Sequence, residues 1–270
     1  MVKVKPIYGT FRNGIPYVYF GRGKKKLLMF YGGPGNELPT GFVFNMFGKE
    51  LEPFAENYTI YIVSRKSGLH EGYTTKDMSN DYAELIRTEF GGKVNLVIGI
   101  SYGGMIAQHF AADYPDLFDH IVIAMAAHRI SEEGKELDYK FAEFLSKGKT
   151  SSAYKTIVTA LYPKGLKRTV FKWFFWMVGV FTKGSKSETF SRDVMIEAKA
   201  EMEHDSTESL SRIKLPVLII CGGRDYYFPI EYVKEMSKLI TTCTVKIYPN
   251  EGHNALETES FAKDVMDFIK

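Results

Sequence analysis

A serine flanked by glycines at the end of a buried strand constrains this chain more than any other feature. Residues 95–104 read Asn-Leu-Val-Ile-Gly-Ile-Ser-Tyr-Gly-Gly. Leu96-Val97-Ile98 is an apolar, largely β-branched run of the kind found in strands buried on both faces. Gly99 to Gly103 match G-x-S-x-G, and from Met105 to Ala112 the pattern is helical. A chain turning this sharply from strand to helix holds its middle residue in a strained conformation and exposes that side chain. Gly99 and Gly103 remove side chains that would collide with the neighbouring strand and helix. The positive end of the helix faces the same point. Ser101 is thereby presented as a nucleophile, and the remaining question is whether the chain supplies a base, an acid and an oxyanion site.

Strand and helix patterns alternate on both sides of this stretch. Strands are expected over 7–11 and 17–20, joined by the turn signal Asn13-Gly14, and then over 27–30, 59–63, 95–100 and 121–124. Helices are expected over 42–54, 77–90 (with Asp77 as N-cap) and 105–112. From about 128 to about 212 the patterns are helical, without a strand. Alternation resumes with strands at 216–221 and 244–248 and helices at 230–240 and 261–269. The expected architecture is α/β, a mostly parallel sheet with helices on both faces. Its core is formed by 1–127 and 213–270, with a helical cap, 128–212, inserted at the carboxyl edge where functional loops gather. A length of 270 residues suits one such domain.

Two further residues complete a catalytic set. Asp225 follows the 216–221 strand within Gly-Gly-Arg-Asp, and His253 follows the last strand within Glu-Gly-His-Asn. Each lies just past a strand's carboxyl end, and the chain order Ser101, Asp225, His253 is that of a triad on such a sheet. A serine hydroxyl needs a base poised near neutrality, which histidine supplies. A buried carboxylate then fixes the imidazole tautomer and stabilises the imidazolium. Taken singly, Asp225 also reads as a cap for the next helix, and His253 as a polar loop residue. The loop Tyr31-Gly32-Gly33-Pro34-Gly35 after the 27–30 strand offers backbone donors. Pro34 has no N–H, so Gly33 is the expected donor, with the Tyr102 amide as the second. No lysine or G-K-[S/T] follows, which argues against a phosphate loop.

These motifs together resemble the α/β-hydrolase superfamily: Gly32-Gly33-Pro34-Gly35, Gly-Ile-Ser-Tyr-Gly-Gly at 99–104, Gly-Gly-Arg-Asp at 222–225 and Gly-His at 252–253. The resemblance spans the chain outside the insertion. It implies eight strands, a helical cap between the sixth and seventh, Ser101 as nucleophile, His253 as base and Asp225 as acid. Its carboxylesterase and proline-iminopeptidase branch fits best. Many relatives carry histidine where this chain has Tyr31, and proline iminopeptidases usually have tryptophan where it has Tyr102. Both departures weigh against the iminopeptidase assignment, and a serine at 101 argues against a dehalogenase.

The insertion concentrates aromatics: Tyr139, Phe141, Phe144, Tyr154, Tyr162, Phe171, Trp173, Phe174, Phe175, Trp176 and Phe181, beside Leu161 and Met177. Most read as the cap's own core. Residues 173–177 are dense enough to make both faces of a helix apolar, one on the core and one on a cavity or a membrane surface. Tyr31, Trp173 and Trp176 are the expected contacts for an apolar acyl group, so the reading is a carboxylesterase-like hydrolase of small-molecule esters. The alternatives are an aminopeptidase, with Glu201, Glu203 and Asp205 meeting a substrate amine; a carbon–carbon bond hydrolase; a perhydrolase; or a hydrolase-fold ligand receptor.

Other signals narrow the class. A formal charge of +3 argues against nucleic acid. The basic clusters at 24–26 and 164–172 read as solvated surface, too slight to anchor the chain stably to a membrane. The apolar stretch 170–181, interrupted by Lys172, is too short to span a bilayer, and the first six residues lack a signal-peptide core. Cys221 and Cys243 form no metal or disulfide framework, and Cys221 reads as a small buried side chain. His70, His109, His120, His128 and His204 lack metal-ligand spacing. The expectation is a cytoplasmic enzyme with no metal and no cofactor.

Overall fold

The computed structural model describes residues 5–33, 35–161, 165–181 and 187–270, without side-chain description at 42, 46, 157, 160, 161, 167, 175 and 177–181. Pro34, Tyr162 and the side chains of Leu161, Phe175, Met177 and Phe181, all named above, lie outside the described residues.

Eight strands form one sheet: β1 (Ile7–Thr10), β2 (Pro16–Gly21), β3 (Lys25–Phe30), β4 (Tyr58–Val63), β5 (Val94–Ile100), β6 (Phe118–Ala124), β7 (Val217–Gly222) and β8 (Cys243–Tyr248). Their order is β1-β2-β4-β3-β5-β6-β7-β8. β2 runs antiparallel to both neighbours and every other pairing is parallel. Successive side chains on a strand point to opposite faces, so each central strand feeds two cores. On one face Leu28, Phe30, Val97, Ile121 and Ile219 meet α2 (Thr75–Glu89), α3 (Tyr102–Asp113) and α9 (Ile230–Leu239). On the other, Leu27, Met29, Ile98, Val122 and Leu218 meet α1 (Gly41–Leu51) and α10 (Ser260–Phe268).

Helix boundaries differ from the sequence expectation at both α2 and α1. Thr74, not Asp77, caps α2: its Oγ1 accepts the Asp77 amide at 3.1 Å, while Asp77 Oδ2 accepts the Thr74 amide at 2.9 Å. Asp77 is thus the third helical residue of a capping box. α1 ends at Leu51 and passes into a 3₁₀ turn over Glu52–Phe54, where Pro53 can donate no helical hydrogen bond.

Between β6 and β7 come α4 (Glu132–Ser146), α5 (Thr150–Leu161), α6 (Leu166–Phe181), α7 (Phe190–Met202) and α8 (Thr207–Ser211). α4, α5 and α7 share a small core of Phe141, Leu145, Ala153, Phe190 and Val194. α7 also reaches the main core through Ile196 and Ala200, and Leu210 of α8 joins it. Strand order reverses between β3 and β5, so the loops that follow these two strands lie side by side at the carboxyl edge.

Candidate active site

Ser101 sits where β5 becomes α3, at φ 55° and ψ −119°, a backbone conformation costly for any residue with a Cβ. Close packing imposes that turn. A Cβ on Gly103 would lie 2.0 Å from the Phe30 carbonyl oxygen, and one on Gly99 would lie 2.5 Å from Ala107 Cβ. With no side chains there, α3 starts at Tyr102, immediately after the serine, three residues earlier than the pattern suggested.

His253 reaches the serine from the far side of the sheet. Its Nε2 is 2.7 Å from Ser101 Oγ, and its Nδ1 is 2.9 Å from Asp225 Oδ2. A carboxylate only accepts, so Nδ1 carries the proton and Nε2 is free to accept from the serine hydroxyl. Asp225 Oδ1 accepts the backbone amides of Tyr227 at 2.9 Å and Phe228 at 3.1 Å. Asp225 therefore both organises its own turn and orients the imidazole. The two loops can approach this closely because Gly222 lacks a side chain: a Cβ there would sit 2.1 Å from the Gly252 carbonyl oxygen. The rings of Tyr227 and Phe228 wall His253 at 4.8 and 5.7 Å.

The glycine loop after β3 lies against the serine. A Cβ on Gly32 would be 3.1 Å from Ser101 Cβ and 2.9 Å from the Ile100 carbonyl oxygen. Gly33 adopts φ +75°, and a side chain added there would meet nothing within 4 Å, so it borders open space. Neither the Gly33 nor the Tyr102 amide donates to an acceptor among the described residues. The Gly35 amide, by contrast, is taken up by the Glu197 carboxylate.

Sequence reasoning missed what holds this loop. Arg65, two residues past β4, is wholly buried beside Glu197 of α7, with Nη2 to Oε2 at 3.0 Å. The same guanidinium donates to the carbonyls of Tyr31 at 2.8 Å, Gly35 at 2.6 Å and Gly33. It also lies over the Tyr102 ring at 4.9 Å, and the Tyr102 hydroxyl donates to the Glu197 carbonyl at 2.8 Å. Tyr102 thus has a partner that needs a phenol. The available signal was Asp193, Glu197 and Glu201, spaced by four along a helix whose neighbours are apolar.

The other expected contacts divide. Tyr31 packs edge-on against Phe47 at 5.3 Å, and burial, then the nearby Tyr154, push its phenol up. Trp173 and Trp176 are 64 and 45 % exposed on α6, on its outer side rather than enclosed about the serine. Of the acids suggested for an amine, Glu203 and Asp205 are exposed. Glu201 is buried, and burial followed by the adjacent Asp138 carboxylate raises it well above the usual range.

Two of the remaining histidines meet hydroxyl groups of the scaffold. His109 Nδ1 and Ser209 Oγ are 2.8 Å apart, as are His204 Nδ1 and Thr75 Oγ1. No group of three His, Cys, Asp or Glu converges as a metal site among the described residues. Burial pushes the Cys221 thiol up to about 12, so it is an inert core side chain.

A family model described as the alpha/beta hydrolase fold matches residues 27–155, from β3 through the serine turn into α5. Over those residues the chain carries the α/β-hydrolase pattern, and its sheet is that of the α/β-hydrolase fold. It is 26 % identical over 215 residues to a probable acyltransferase of Methanothermobacter thermautotrophicus, covering 73 % of this chain and 66 % of that one. That match spans just under two thirds of the relative. It is 25 % identical to a proline iminopeptidase of Pestalotiopsis fici, covering 76 and 79 % of the two chains. An esterase from Exiguobacterium antarcticum superposes with a TM-score of 0.73 at 20 % identity, covering 98 and 99 %, a likeness of fold. Within the α/β-hydrolase sheet, Ser101, Asp225 and His253 follow β5, β7 and β8. No helix among the described residues is long and apolar enough to cross a membrane.

Proposed function

We propose that this α/β hydrolase is a serine esterase that cleaves carboxylic esters of apolar acyl groups through an acyl-enzyme. The observation that carries the reading is the unbroken chain from Asp225 through His253 to Ser101, beside two amides with no acceptor among the described residues. Ser101 Oγ attacks the ester carbonyl while His253 Nε2 takes its proton. Asp225 holds the opposite N–H and stabilises the imidazolium. The Gly33 and Tyr102 amides donate to the oxyanion, each contributing on the order of 3 kcal/mol in the transition state. The tetrahedral intermediate collapses, the alcohol leaves with the proton from His253, and a water activated by the same nitrogen releases the acid.

The inserted helices serve as a cap in this reading. Tyr31, Phe47 and Tyr154 border the oxyanion loop and replace Trp173 and Trp176 as the expected acyl contacts. An ester is favoured over a substrate amine because Glu203 and Asp205 are exposed and Glu201 is buried, its carboxyl pKa raised by that burial. No step calls for a metal or cofactor.

The test is a panel of p-nitrophenyl esters of graded acyl length, with proline amides alongside. Ester turnover that is lost in Ser101→Ala, together with phosphonate labelling confined to Ser101, supports the reading. Turnover of the amides without the esters overturns the substrate class. A single slow turnover at best marks a receptor.

A further inference from the structure

Both tryptophans of the chain lie on α6, and both face outward. Leu166, Val170, Trp173 and Trp176 are 81, 56, 64 and 45 % exposed. At 3.6 residues per turn these four positions fall within about 120° of one another, a single stripe along the helix. Phe171 and Phe174 occupy the other side, packed on Val158 and Tyr154 of α5. α6 is therefore apolar on two faces, and one of them is turned to solvent. An exposed row of this size calls for a partner.

The surrounding charge indicates which partner. Residues 144–187 hold nine of the chain's 35 lysines and arginines and none of its 32 acidic residues. A segment of formal charge +9 thus sits on a remainder of −6, an asymmetry hidden in the modest total of +3. The cations are close enough to act on one another: partial burial, then Arg168 and Lys155, lower the pKa of Lys172. A second copy of the chain would bring like charge against like. A bare polyanion would satisfy the cations and leave Leu166 and Val170 in water. An anionic lipid surface satisfies both, because phosphates meet the cations while the aliphatic side chains enter the acyl boundary and tryptophans settle at headgroup depth.

We propose that the exposed face of α6 docks onto anionic lipid surfaces, with Leu166, Val170, Trp173 and Trp176 in contact with the bilayer and Lys155, Arg168 and Lys172 facing its phosphates. The docking is peripheral and reversible, weaker than the stable anchoring that the sequence argued against. It stands independently of the chemistry at Ser101 and bears on where an apolar substrate is collected.

The tryptophans supply the probe, since emission excited selectively from tryptophan reports on α6 alone. The full chain is mixed with vesicles of phosphatidylcholine, or of phosphatidylcholine with roughly 30 mol% phosphatidylserine, and followed by emission wavelength and co-sedimentation. The expected result is a blue shift and binding about tenfold or more tighter to the anionic vesicles, lost at about 0.5 M salt. Val170→Asp and Leu166→Asp should each weaken binding about tenfold, with circular dichroism and soluble-ester hydrolysis unchanged. Leu166, on the first turn and most exposed, guards against an unfolded Val170 variant. Four outcomes overturn the proposal: no shift with anionic vesicles, equal binding to both compositions, a shift that follows protein concentration alone, or a shift produced only by an oligonucleotide.

Discussion

The carboxyl rim of the sheet and the α5–α6 pair are built on opposite terms. At the rim, backbone meets backbone where side chains have been removed at Gly99, Gly103 and Gly222, and a wholly buried Arg65–Glu197 pair ties the loop after β3 to α7. The Arg65 guanidinium there is fully engaged by carbonyls and a carboxylate, while the amides of Gly33 and Tyr102 meet no acceptor among the described residues. In α5–α6, large apolar side chains face outward on a segment whose sequence holds cations and no acid. One region is fixed by close backbone approach and a buried ion pair, and the other leaves large apolar side chains in solvent. The difference teaches that the cost of substitution should fall steeply from the rim to α6, and by different mechanisms.

The comparison can be broken first at the nucleophile. Ser101→Ala should reduce kcat/KM for a short ester by about 10⁵-fold or more while the unfolding midpoint hardly moves. A residual rate within tenfold of wild type would remove Ser101 from the chemistry. Next comes the buried pair. Glu197→Ala leaves the Arg65 guanidinium buried and unpaired, and should destabilise the protein by about 3–5 kcal/mol in denaturant titrations. Glu197→Gln should lose less, because an amide oxygen still accepts from Arg65 and Gly35. A fully stable Glu197→Ala would show that the rim is looser than its geometry implies. Gly103→Ala sets a methyl group 2.0 Å from the Phe30 carbonyl, against backbone that cannot give, and should cost about 3 kcal/mol.

A smaller effect follows from pH. Burial lowers His109 to about 4 and, with His109 as a neighbour, His204 to about 3. In the unfolded chain both take up protons near pH 6.5. The unfolded state therefore binds more protons in that interval, so their contribution is complete above pH 6.5 and is lost as pH falls toward 4. Glu201, raised by burial, titrates in the opposite sense, so the measurement is a difference. Urea midpoints of wild type and His204→Gln should converge as pH drops from 7 to 4. The smallest change belongs to α6: Val170→Ala should shift unfolding by less than about 0.5 kcal/mol, marking that face as surface rather than core.

Much of the scaffold was legible in the chain because it rests on local periodicity. Leu96-Val97-Ile98 between a polar residue and a glycine announces a buried strand wherever it occurs, and Gly99-x-Ser101-x-Gly103 announces the turn that follows it. The meeting of Asp225 and His253 with Ser101 was legible by position, each lying just beyond a strand. Helix starts were less so: Asp77 looked like a cap, and only the paired bonds with Thr74 reveal its place three residues in. Trp173 and Trp176 were misplaced for a related reason. A helix apolar on both faces has no pattern that says which face is inside, and packing of Phe171 and Phe174 on α5 decides it.

By itself, the sequence determined the alternation of strands and helices, the strained serine turn and the placing of Ser101, Asp225 and His253 just past strand ends, since each depends on residues adjacent in the chain. Only the tertiary structure decided that Arg65 and Glu197 are partners, that Gly222 yields to Gly252, and that α6 shows a row of apolar side chains to solvent. These depend on how separate elements stack. The burial of a charge or the exposure of a tryptophan is a property of that stacking, and the order of residues along one helix does not encode it.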